Sequence, residues 1–172
     1  RPIDRIDTFY SCRKYFGVPD GGYLYTDVNA NFELEQDESY TRLDSLVKRI
    51  DLSPEAGYGD FHKVEAKFHD VPIRRMSKFT KRMMQSIDYG MAAQRRLDNY
   101  HYLRQYLGGR QLLGGEVPMI YPYVDEWAGE DATETWMSNH ILSLPIDQRY
   151  DEEDMERIIK IIKSKKWKVE CI

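Results

Sequence analysis

One lysine in this chain sits where an amine could be put to work. The stretch YSCRKYFGVPDGGYLYTD, residues 10–27, places Lys14 beside Arg13 and among aromatics, seven residues before Gly21-Gly22. A primary amine held at one point can form a Schiff base with a carbonyl, most often that of pyridoxal phosphate, and so act as a covalent catalyst. That use needs a rigid mount. Ile6 to Ser11 reads as a short strand and Gly22 to Thr26 as another, joined through the turn Val18-Pro19-Asp20-Gly21-Gly22. Ser11 and Arg13 are the residue types that hold a phosphate. The competing reading is the ordinary one, in which a loop lysine is a solvated charge.

Other chemistries find less support. The four histidines, His62, His69, His101 and His140, are scattered without metal-ligand spacing, so no metal site is expected. The acidic run Asp151 to Asp154 precedes an amphipathic segment and fits a helix N-terminus favoured by the helix dipole. Gly21-Gly22 lacks the spacing of a phosphate-binding or dinucleotide-binding glycine loop.

The chain of 172 residues suffices for a real core, and 41% apolar with 13% aromatic residues argues for a folded protein. A net charge of −4 provides no basic field for nucleic acid and no polybasic run for a membrane surface. No apolar stretch approaches the roughly 20 residues that span a bilayer. The two cysteines, Cys12 and Cys171, make no disulfide framework or CxxC pair, which fits a reducing cytoplasm.

Elements that must position Lys14 follow in mixed α and β order. Tyr40, Leu43, Val47 and Ile50 recur at helical spacing. Ser53-Pro54 starts a helix carrying Tyr58, Phe61, Val64 and Phe68 on one face. Ser77 caps a segment to Ile87, and Asp88 caps another to about Leu107, stopped by Gly108-Gly109. Val117 to Val124 reads as an edge or bulged strand because of Pro118 and Pro122. Ile141 to Ile146 is a further strand. Asp151 opens a helix that buries Met155, Ile158, Ile159 and Ile162, and Trp167 to Cys171 adds a last strand.

Four stretches together resemble the DegT/DnrJ/StrS family of pyridoxal-phosphate-dependent sugar aminotransferases. FYSCRKYFGVPDGGYLYTD is similar to the family's lysine segment, whose Schiff-base lysine also stands seven residues before a Gly-Gly pair. PIRRMSKFTKRMMQSIDY and RRLDNYHYLRQYL resemble the long helix entering the family's small domain, and ILSLPIDQRYDEEDMERII its closing strand and helix. The resemblance implies an α/β chain that is the C-terminal part of a fold type I transferase. Residues 1–37 would end the large-domain sheet with the lysine segment, and residues 38–172 would form helices and the small C-terminal α/β domain. It implies pyridoxal 5'-phosphate as cofactor and Lys14 as its covalent carrier and proton shuttle; Ser11 and Arg13 are, by residue type, the further candidate cofactor contacts. The substrates would be an amino donor such as glutamate and a keto-sugar attached to a nucleotide. A cytoplasmic homodimer is expected, with Met83, Met84, Tyr89 and Met91 as candidate interface residues.

The chain departs from the family's pattern in places. Phe9 stands where the family has a phosphate-binding serine five residues before the lysine; Ser11 has the spacing of aspartate-aminotransferase-like relatives. The family's partner-subunit phosphate-binding Asn-Tyr-Arg corresponds to Tyr40-Thr41-Arg42, without the asparagine. The interval from Val117-Pro118-Met119 to Trp136 is too short for the family's extra helix and strand. The family's ring-stacking aromatic and its pyridine-pairing aspartate lie upstream of the lysine, so these 172 residues alone are expected to be inactive. The alternative is a non-catalytic, aminotransferase-like dimerisation or binding protein. A related dehydratase, with histidine in place of the lysine, is disfavoured by Lys14.

Overall fold

The computed structural model describes residues 4–28, 33–69, 71–124 and 141–164. The expected strand Trp167 to Cys171, His140 and most of the interval up to Trp136 lie outside these residues. Helices are mixed with two small antiparallel sheets, an α/β composition, and the contacts divide the chain into two compact units, Arg1–Ile87 and Asp88–Ile172.

In the first unit, strands β1 (Thr8–Ser11) and β2 (Gly22–Tyr25) pair antiparallel, with Ser11 opposite Gly22 and Thr8 opposite Tyr25. Three helices follow: α1 (Asp44–Asp51), α2 (Pro54–Lys67) and α3 (Lys78–Ser86). The caps read from sequence are made. The Ser53 hydroxyl accepts the Ala56 N–H at 3.2 Å, and that of Ser77 accepts the Thr80 N–H at 3.1 Å. Each satisfies a donor that the first helical turn would leave unpaired.

Two expectations for this unit need correction. The spacing from Tyr40 to Ile50 does not make one helix: Tyr40–Arg42 is a separate 3-10 turn, and Val47 and Ile50 are exposed, Ile50 to 83%. On α2, Tyr58 and Phe61 are exposed instead of facing inward. The reason is Gly57, which is buried. A Cβ there would lie 2.6 Å from the Ser45 carbonyl oxygen of α1, so only glycine lets the two helices cross so closely. Gly57 thereby turns inward the face that also carries Val64 and Phe68, and the neighbouring aromatics are left outside. The glycine that weakens α2 as a helix is what allows its packing.

The second unit contains α4 (Tyr89–Leu107), β3 (Ile120–Val124), β4 (Ile141–Pro145) and α5 (Glu152–Lys163). Asp88 caps α4 by accepting the Met91 N–H at 2.9 Å, and the helix ends at Gly108 and Gly109, both at positive φ. β3 and β4 pair antiparallel, with Tyr121 opposite Leu144. Pro122 is tolerated because each strand of this two-stranded sheet, among the described residues, has a free edge. The acidic run performs the role expected of it: Asp151 and Asp154 form a reciprocal capping box at the start of α5. Tyr100, Leu103, Tyr121, Leu144, Ile146, Met155, Ile159 and Ile162 form one buried apolar cluster, with Ile158 packed against it.

Candidate functional site: the Lys14 turn

Lys14 closes a single 3-10 turn, Cys12–Lys14, that leaves the end of β1. Its side chain is exposed and has no hydrogen-bond or ion-pair partner among the described residues. Everything around it is fastened. The Cys12 N–H donates to the Gly21 carbonyl at 3.1 Å, closing the loop 12–21 at its base. Cys12 and Val18 are buried against Met84 of α3, with Phe16, Met76 and Ile87 around them. Gly21 has φ +95°, and a Cβ on it would lie 2.9 Å from the Met76 Cγ and 3.1 Å from the Thr80 Cγ2. Both the backbone conformation and the space therefore demand glycine at that point.

Beneath the loop lies a buried polar cluster. Asp20 is only 4% exposed, and its carboxylate accepts the Ser77 N–H at 2.9 Å and the Arg42 Nη2 at 3.3 Å. Arg42 donates to Asp37 at 2.6 Å, and the Ser77 hydroxyl donates to the Ser39 hydroxyl at 3.0 Å. A buried carboxylate is tolerable only when charge and lone pairs are both matched, as they are here.

The other two predicted site residues have different fates. Ser11 is half-buried, opposite Gly22 at the strand end. Arg13 turns toward α2, where it is ion-paired with Glu65 and lies 4.9 Å from the Phe68 ring centroid. Arg42 sits 5.2 Å from the same ring, so one aromatic face region serves two guanidinium groups. Burial, and then the Arg42 charge, draw the Arg13 pKa below its ordinary value against the opposite pull of Asp20. Burial and the Asp20 carboxylate raise that of the Cys12 thiol, which keeps it protonated and unreactive. Thus the structure brings Lys14, Ser11 and Arg13 to one end of the hairpin, but the Arg13 charge is already matched by a carboxylate. Arg42, aligned by resemblance with a phosphate-binding arginine, is likewise held by Asp20 and Asp37.

Sequence reasoning missed Asp20, Ser39 and Ser77 as a unit. Asp20 in PDGG reads as a turn residue, and its partners lie 22 and 57 residues away. In the second unit it also missed Arg96 and Asn99, whose side chains are buried on α4. Asn99 donates to the carbonyls of Asp147 and Tyr150 at 3.2 and 3.1 Å, and the Arg96 Nε donates to Gln148 at 2.9 Å. They hold the LPIDQRY loop. A signal was present: residues 96, 99, 100 and 103 share one helical stripe, so two polar residues stood in an apolar face.

The histidines His62, His69 and His101 are exposed, and among the described residues no group of three His, Cys, Asp or Glu side chains could hold a metal ion. No described helix is long and apolar enough to cross a membrane. Compared with known proteins, the chain matches no family model, no curated protein and no solved structure.

Proposed function

We propose that the protein is a pyridoxal-phosphate-dependent aminotransferase of the DegT/DnrJ/StrS kind, with Lys14 as the covalent carrier of the cofactor. One observation carries the reading: an exposed lysine amine, seven residues before a glycine pair whose first member is required, on a loop closed at its base and packed on α3. Such a mount fixes the backbone from which the amine extends, which supports the positioning that covalent catalysis needs. The described residues fit the covalent end of the cofactor through Lys14, and Ser11 offers a hydroxyl to its phosphate. Arg13 contributes there only by exchanging Glu65 for the phosphate, both being anionic partners for a guanidinium. Bound pyridoxal phosphate supplies the electron sink for amino transfer. Lys14 supplies the amine that holds it and, once released, a base that moves the proton between the two carbon positions. The proposed donor is an amino acid such as glutamate and the acceptor a keto-sugar, nucleotide-linked, in a cytoplasmic homodimer.

The test is chemical. Full-length protein treated with pyridoxal phosphate and then sodium borohydride should carry a single fixed label, and peptide mapping should place it on Lys14. Lys14→Ala should lose both label and transamination while unfolding like the parent, since the side chain it removes is exposed. Label spread over many lysines, or none, rejects the reading.

A second reading, a non-catalytic protein that binds or dimerises through this scaffold, is favoured by the carboxylate pairing of both Arg13 and Arg42 and by exposed apolar side chains. Of the interface candidates Met84 is buried, whereas Met83, Tyr89 and Met91 are exposed, Met91 to 72%. Light scattering decides the shared point: a monomer mass at micromolar concentration removes the dimer from either reading.

A further inference from the structure

The loop 12–21 is tied to the rest of its unit near its start, where Arg13 pairs with Glu65 of α2 and lies against Phe68, and again at its exit through Asp20. Asp20 reaches two separate elements at once, the first residue before α3 through the Ser77 N–H and the 3-10 turn 40–42 through Arg42. The next residue, Gly21, accepts the Cys12 N–H at 3.1 Å, and Cys12 begins the turn that Lys14 closes. A continuous path of hydrogen bonds and two peptide units therefore runs from the α3 N-terminus through Asp20 and Gly21 to the backbone beneath Lys14. Apolar packing of Cys12 and Val18 on Met84 resists separation of loop and helix, but it is non-directional. The Asp20 carboxylate, with both oxygens engaged and 4% exposed, supplies direction.

We infer that Asp20 is a positioning residue for Lys14: by fastening the exit of the loop to Ser77 and Arg42, it sets the direction in which the Lys14 amine leaves the turn. The role assigned to the amine rests on the proposed function; the ordering of the loop by Asp20 does not.

Asp20→Asn is the informative variant. It keeps the side-chain shape and one acceptor but removes the charge facing Arg42, and Arg42 retains Asp37 at 2.6 Å, so no buried cation is left bare. Two measurements on the full-length protein separate the loop from the chemistry. Amide hydrogen exchange over residues 12–21 should quicken by about tenfold in Asp20→Asn while α4 and α5 exchange as in the parent. The share of borohydride-fixed pyridoxal phosphate found on Lys14, relative to all other lysines, should fall by about tenfold, as expected when a reacting group is misaligned. Asp20→Glu, which restores the charge, should recover part of that share. Should Asp20→Asn fail to fold, Asp20→Glu moves the carboxylate by one methylene and is read by the same two measurements.

Unchanged exchange at 12–21 overturns the inference. So does quickened exchange with an undiminished Lys14 share, because Asp20 would then order the loop without aiming the amine. Parent protein that takes no preferential label on Lys14 rejects the aminotransferase reading instead, and exchange still decides whether Asp20 orders the loop.

Discussion

The two units of this chain are held together by different physics. The described residues of 88–172 close over eight buried apolar side chains drawn from α4, both strands, Ile146 just after β4, and α5. Among the described residues of 1–87, the comparable apolar cluster is Cys12, Val18 and Met84, and beside them lie Asp20, Ser39, Ser77 and Thr80, all buried and polar. Apolar burial stabilises in rough proportion to area and tolerates small displacements. A buried ion pair with matched hydrogen bonds adds little net stability but specifies one geometry, since a displaced partner leaves a charge unpaired. The lysine stands on the polar, geometrically specified unit, which suits a group whose direction matters.

The contrast can be broken most directly in the apolar unit. Leu103 has no exposed surface and packs at the centre of its cluster. Leu103→Ala should cost about 2 to 5 kcal/mol, the range for a buried leucine whose cavity collapses incompletely. Urea denaturation followed by exchange of the α4 and α5 amides would show it. A loss under 1 kcal/mol, on the order of a surface substitution, would mean that unit is not organised by this core.

A smaller effect is expected at the lysine loop. Gly21→Ala forces a side chain into a positive-φ conformation, at a cost of roughly 1–2 kcal/mol, and brings its Cβ within 2.9 Å of the Met76 Cγ. Met76 is flexible and half-buried, so it yields part of the clash. Exchange at residues 12–21 should rise while the second unit stays protected. Equal protection in both proteins would show that the loop does not depend on its glycine.

The smallest effect sharpens the comparison by finding a polar peg inside the apolar unit. Burial pulls the Asp147 carboxyl upward, but hydrogen bonds from the Arg149 side chain and backbone together outweigh it and hold the pKa below its ordinary value. A depressed folded-state pKa contributes stability that is present above the unfolded value near 4 and is lost as pH falls through the folded one. Asp147→Asn should therefore flatten the acid limb of the stability profile below about pH 4 and lower stability at neutral pH. An unaltered acid limb would assign the acid sensitivity to other carboxylates.

What the sequence determined by itself was local. The strands about Lys14, the caps at Ser53, Ser77, Asp88 and Asp151, and the stop at Gly108-Gly109 are where they were read, because each depends on residues within a few positions of one another. Periodicity succeeded on α5, whose apolar stripe meets a continuous core, and failed on α1 and α2, where the close crossing at Gly57 chose the buried face. Lys14 was legible as a candidate from its spacing to the glycines. Its surroundings were not. That Arg13 would face Glu65, that Arg42 would be shared by Asp20 and Asp37, and that Asp20 would reach Ser77 depend on charges brought together from distant segments. Hydrogen bonds and ion pairs act over a few ångströms and carry no sequence period, so only the tertiary structure could select those partners.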